Sequence, residues 1–151
     1  MEPYLKTNIT TLQIIYSALM AGVLFFLIVS VVLNLSGGAF IPGEKQEEQI
    51  FLIIAGVLAV TAIFTGISIV KKKLESLQLL QSTQEKIEQY RSLLIIRAAL
   101  MEGPAFFFIV GYLLFGTLAF GIGAVLCLAV MAAYFPTRSR IGNETGINLE
   151  L

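Results

Sequence analysis

Hydrophobic positions in this chain do not alternate and do not follow a single amphipathic stripe; they form four long continuous runs. Leu12–Leu35, Ile50–Val70, Leu93–Phe115 and Leu118–Phe135 are each nearly free of charge. A hydrocarbon core of ~30 Å needs about 20 helical residues to cross it, and all four runs approach or exceed that length. Continuous apolar character argues against the alternating strands of an outer-membrane barrel. The pattern predicts an all-α, polytopic membrane protein with four transmembrane helices. These span 12–35, 50–70, 93–115 and 118–135, with a helical hairpin extension over 71–92 and a tail over 136–151.

The polar breaks between runs carry further information. Thr10-Thr11-Leu12-Gln13 and Ser82-Thr83-Gln84-Glu85 both have the form of a capping box. Leu74, Leu77 and Leu80 recur at helical spacing after span two, and Ile87, Tyr90 and Leu94 do so before span three. Spans two and three are therefore expected to run on past the membrane and turn near Ser82. Their leucines would zip the extension into an antiparallel hairpin or offer it to a partner. Lys71, Lys72, Lys73, Lys86 and Arg91 fill this connector, Lys6 precedes span one, and Arg138 and Arg140 follow span four. The connector after span one holds Lys45 against Glu44, Glu47 and Glu48, and the Gly116-Thr117 turn is uncharged. An excess of lysine and arginine marks cytoplasmic segments, which places the middle connector and both termini in the cytoplasm, as expected for an inner (plasma) membrane protein. Span one is too long for a signal-peptide core and lacks a following A-x-A site, so it reads as a retained span.

Spans one and three look like copies. Aligning Leu12–Leu33 with Leu93–Leu114 gives 12 identities in 22 positions, with the core A-L-M-x-G-x-x-F-F at Ala18–Phe26 and Ala99–Phe107. Composition alone would match roughly one position in six. With one span between them the copies share an orientation. The expected architecture is thus two tandem hairpins, a parallel repeat about the membrane normal.

Composition sharpens the picture mainly by exclusion. The chain has 151 residues, 57% hydrophobic and 13% charged, with zero net charge, so no basic surface points to nucleic acid. There is no histidine and one cysteine, Cys127, set in an apolar run. Neither a metal site, a catalytic site nor a cofactor site is expected, and no hydrolase, zinc or nucleotide motif is present. The chain reads as a non-enzyme.

Polar chemistry concentrates on span three. Glu102 lies nine residues after Leu93, roughly 13 Å into the span, where a carboxyl must be protonated, paired or wetted. Pro104 follows, cannot donate to the Leu100 carbonyl and should kink the helix. Arg97 is the nearest cation but sits about 140° around the helix from Glu102, so a partner on another helix, such as Tyr16, Ser17 or Thr61, is equally open. Glu102, Arg97, Pro104 and Tyr16 are the candidate proton, ion or polar-ligand site. Small-residue pairs at Ala18/Gly22 and Ala99/Gly103, with Ala55, Ala59, Ala62 and Gly66 on span two and Gly121, Gly123 and Ala124 on span four, predict close helix packing.

Two resemblances follow from these segments. Ala18–Gly22, Arg97–Ala105, Pro136-Thr137-Arg138 and Leu149-Glu150-Leu151 resemble small four-helix membrane proteins of Bacteroidetes-type bacteria, a likeness that implies no activity. Ala99–Pro104 with the aromatic run behind it is similar to the ion-carrying helix of rotary ATPase proteolipids, the c subunits. There the acid lies on the second helix of a hairpin behind a glycine-rich first helix, whereas here it lies on span three and span one is not glycine-rich. The function expected is that of a small inner-membrane accessory or assembly protein acting by helix–helix association. The alternative is an ion- or small-solute-coupled transporter or channel subunit using Glu102, including a proteolipid-like rotor. The partners expected are the lipid bilayer and other membrane proteins or further copies of the chain.

Overall fold

The computed structural model describes residues 3–41 and 45–147, with side chains from Asn8 onward. Glu44, the Lys6 side chain and the Leu149-Glu150-Leu151 end lie outside the described residues. Within these bounds the chain is all-helical: α1 (Pro3–Gly37), α2 (Lys45–Gln78), α3 (Thr83–Phe115), α4 (Leu118–Ala133) and α5 (Arg138–Thr145), with no strand. Three of these helices, α1 to α3, are long and apolar enough to cross a membrane. They become four if α4 and α5, bent by 68° across a short break, are counted as one broken span.

α1 begins well before the Thr10-Thr11 capping box expected from the sequence. Pro3 occupies its first position, where a fixed φ and a missing N–H cost nothing, and the polar stretch behind it simply continues the helix. The turn near Ser82 is as expected. Ser82 caps α3, its hydroxyl accepting from the Glu85 N–H at 3.5 Å, and α2 stops at Gln78. Leu77, Ile87, Tyr90 and Leu94 are buried at this end, and Leu77, Tyr90 and Leu94 form one cluster with Ile9, Leu12, Val70, Leu93 and Ile141. The leucine zip of the extension is therefore made jointly with the start of α1 and with α5.

α3 is the central element and contacts every other helix. Half of its apolar window is buried, against 17% in α1 and 11% in α2. It continues through Pro104, which is buried, although the Leu100 carbonyl loses its usual donor there. α1 lies beside α3 and runs in the same direction. Leu12 and Ile15 meet Leu94 and Ile95 at one end, and Phe26 meets Phe106 edge-on at 5.5 Å in the middle. At the other end Asn34 Nδ2 donates to the Tyr112 carbonyl at 3.0 Å.

The α3–α4 contact is a reciprocal pair of phenylalanines over glycines. Phe120 of α4 lies on Gly111 of α3, and Phe108 of α3 lies on Gly123 of α4. A Cβ on Gly111 would stand 2.5 Å from Phe120 Cδ1, and one on Gly123 would overlap the Phe108 ring. Phe107 stacks on Phe51 of α2 at 4.4 Å, which joins the third long helix to the same aromatic layer. The other small-residue pairs behave differently. Ala18, Gly22, Ala99 and Gly103 are exposed, and a Cβ on Gly22 or Gly103 would meet nothing within 4 Å. The packing expected at those pairs is therefore not made within the chain. The helices approach closely where glycine faces an aromatic ring, and Gly22 and Gly103 face outward.

This contrast sets a test. Gly111→Ala and Gly123→Ala should each cost about 1–3 kcal/mol by forcing a ring from its seat, read as a lower unfolding temperature in detergent. Gly103→Ala and Gly22→Ala should leave it unchanged or slightly raised, since alanine favours the helix. Equal effects at all four positions would contradict the packing described.

Candidate functional site

α4 contributes 16 residues, a rise of about 24 Å, shorter than the ~30 Å hydrocarbon core. At its last turn the Tyr134 and Phe135 N–H groups reach the Val130, Met131 and Ala132 carbonyls, and the remaining acceptor capacity there is met from elsewhere. Two other helices supply donors around this exit. Tyr16 Oη of α1 donates to the Met131 carbonyl at 2.9 Å, and Gln13 Nε2 donates to Pro136 O at 3.0 Å. From α5, Arg140 Nη1 donates to the Ala133 carbonyl. Two guanidinium groups lie over the ring of Tyr134, the cap of α4: Arg97 at 5.0 Å and Arg140 at 5.3 Å from its centroid. Cations near a helix C-terminus are favoured by its dipole as well as by the ring.

Glu144 of α5 completes the cluster. Its carboxylate receives the Tyr90 hydroxyl at 2.7 Å and pairs with Arg97 at 3.4 Å and Arg140 at 3.9 Å. Arg97 is 5% exposed, so its charge is removed from water and requires this partner. The short α5 is held by the same contacts, with Ile141 and Thr145 buried beneath it and Thr137 capping its start through the Arg140 N–H. The segment after span four, read from the sequence as a tail, is folded against the bundle over Arg138–Thr145.

Of the four residues proposed from the sequence, two lie in this cluster and two do not. Tyr16 and Arg97, equivalent positions in the aligned spans, both point inward at the end of α4. Arg97 pairs across to Glu144 rather than along its helix to Glu102. Pro104 is buried in the α3 core. Glu102 is half-buried on the opposite side of α3, in the stripe of Ile95 and Phe106 that borders α1, and makes no hydrogen bond or ion pair among the described residues. The sequence alone did not reveal Glu144 and Tyr134 as partners of Arg97, nor Tyr90 as a second donor to Glu144. The one signal for Glu144 was an acid at the i+4 position from Arg140 beyond span four.

Beside the cluster is a cleft of about 320 Å³ between α2 and the α3–α4–α5 side. Its apolar part includes Ile63, Ile67, Val70 and Met101; Lys71, Glu75, Arg97 and Glu144 line its polar part. No protein family, curated protein or solved structure matches the chain.

Glu144→Ala should release α5, because it leaves the buried Arg97 charge unpaired, a loss of roughly 1–3 kcal/mol or more. Hydrogen exchange of the 138–145 amides should speed up while the α3 core stays protected. Tyr90→Phe should act in the same direction but less, since Arg97 remains paired. Unchanged exchange in Glu144→Ala would show that the ion pair does not hold α5.

Proposed function

We propose that this chain is a small membrane protein that works by helix–helix association, as an accessory or assembly component rather than an enzyme, and that it associates through the outer edge of α1 and α3 around Glu102. The observation that carries this reading is Glu102 itself. A carboxyl within an apolar span is costly and calls for a partner, and Glu102 has none among the described residues. Around it the surface is made of small residues. Ala99 and Gly103 flank it on α3. Across the edge, Gly22 lies on the α1 stripe Ile15–Leu19–Gly22–Phe26, of which Ile15, Leu19 and Phe26 border α3, and it has open space before its Cα. Small residues let a second helix approach closely, and the carboxyl supplies a hydrogen-bonding anchor for a donor on that helix.

The topology that goes with this reading has four spans, α4 crossing as a short helix and both ends lying on the cytoplasmic side. The lysines and arginines of the 71–92 connector and of Arg138 and Arg140 support that orientation. Descent of the two hairpins from one ancestral pair is supported by the shared direction of α1 and α3 and by their shared register. Leu12/Leu93, Tyr16/Arg97, Leu27/Phe108 and Ser30/Gly111 are buried in both helices, while Ala18/Ala99 and Gly22/Gly103 are exposed in both.

Two experiments test this reading. Photocrosslinking from position 95, an exposed and already bulky position on the Glu102 stripe, in native membranes should give one protein adduct, lost in Glu102→Ala and kept in Glu102→Gln, which retains a hydrogen-bonding group of nearly the same shape. Gly103→Leu should leave the cellular level unchanged and reduce the adduct by tenfold or more. Crosslinks to lipid alone would refute association through this face, and loss of an ion flux in Glu102→Gln with normal adduct would move the mechanism to ion coupling. For orientation, Ser82→Cys should be labelled only from the cytoplasmic side and Gln46→Cys only from the opposite side, in a Cys127→Ala background. Labelling of Ser82→Cys from outside intact cells would reverse the topology.

A further inference from the structure

The cleft beside the Arg97–Glu144 pair has a polarity profile that selects a class of ligand. It follows α2 from Ile63 to Gln78, a length of about 22 Å. Over the first half its α2 wall is Ile63, Gly66, Ile67 and Val70, opposed by Met101 and Val130; over the second half the α2 wall is Lys71, Leu74, Glu75 and Gln78. The change occurs where the apolar run of α2 ends in Lys71-Lys72-Lys73, the level at which a bilayer changes from acyl chain to headgroup. One leaflet of hydrocarbon is ~15 Å deep, so the cleft reaches from within that leaflet to beyond its surface. Its volume, about 320 Å³, is about twice the roughly 150 Å³ that holds a benzene molecule, enough for a stretch of acyl chain.

Charge at the polar end favours an anion. Lys71 and Arg97 line the cleft, Lys72 and Lys73 follow on α2, and Arg138 and Arg140 stand on α5, against Glu75 and Glu144. Arg97 is paired to Glu144 only at 3.4–3.5 Å, longer than the ~2.7–2.9 Å of a tight charge-assisted contact. Its guanidinium forms part of the cleft wall while paired to Glu144, and the exposed Lys71 is the cation open to a ligand. Basic pockets between membrane helices at the headgroup level hold anionic lipid headgroups.

We propose that this cleft is a binding site for an anionic phospholipid of the surrounding bilayer. One acyl chain lies against Ile63, Ile67 and Met101, and the phosphate sits at Lys71, where the lysine run of α2 begins. This site is on the α2 side of the bundle and does not depend on association at Glu102.

The test uses the whole chain in non-ionic detergent, with native mass spectrometry after adding dioleoyl-phosphatidylglycerol or, separately, dioleoyl-phosphatidylcholine. The wild type should retain the anionic lipid at least fivefold more than the zwitterionic one. Ile67→Trp, a change at an exposed cleft position, should lower the retained lipid at least fivefold. Ile53→Trp, on an exposed part of α2 away from the cleft, should not. Lys71→Gln, also at an exposed position, should abolish the preference between the two lipids without abolishing binding. Unfolding temperatures measured without lipid should match the wild type, which separates loss of the site from loss of the fold. Equal retention of both lipids by the wild type, or wild-type retention by Ile67→Trp, would overturn the proposal.

Discussion

A guanidinium removed from water inside a helical bundle is the constraint on which this fold turns. Arg97 sits on the most buried face of α3, and an isolated charge there would be costly. Glu144 meets that need, but only because the chain turns back after α4 and forms α5 against α2 and α3. Tyr90 donates to the same carboxylate from two turns earlier in α3, so the helical extension before span three becomes part of the same structure. One buried cation thereby joins three segments that the hydrophobic pattern treats as separate: the extension, the end of the last span and the tail.

The second constraint is the short α4. The Met131 and Ala133 carbonyls at its end are reached by Tyr16 of α1 and Arg140 of α5, and Gln13 of α1 donates to the Pro136 carbonyl just beyond it, so donors from α1 and α5 converge on its exit. The 68° bend between α4 and α5 brings Arg140 back beneath that exit. The aromatic face of Tyr134 then accepts both guanidinium groups. Capping and charge pairing are solved by the same residues, which explains why so short a helix can be followed at once by another.

The sequence made the long helices and the turn at Ser82 legible and singled out Tyr16 and Arg97 without their partners, because each rests on local signals: apolar run length, a capping pattern, a polar residue in an apolar run. Start positions were less legible. Pro3 begins α1 and the Thr10-Thr11 box lies within it, since a capping pattern is not selective when the preceding residues can also be helical. The pairing of Arg97 with Glu144 could not be read, because it spans 47 positions and depends on a fold-back after a helix break. The small-residue pairs were legible as close-approach surfaces but not as to what approaches them. Gly111, Gly121 and Gly123 have an aromatic ring in place because they face the α3–α4 contact, whereas Gly22 and Gly103 have none.

The alignment of α1 with α3 makes that last distinction physical. α1 and α3 present the same register inward, so a difference between them at an inward position is answered within the chain. At the pair Tyr16/Arg97, the tyrosine caps α4 and the arginine recruits α5. A difference at the outward edge has no such recourse. At the pair Ala21/Glu102, the alanine faces outward without cost, whereas the carboxyl stands 140° around α3 from Arg97 and beyond the reach of Glu144's helix. The two charges of this span therefore cannot satisfy each other. Arg97 is satisfied by α5 of its own chain, whereas Glu102, beside Ala99 and Gly103, has no ion-pair or hydrogen-bond partner among the described residues.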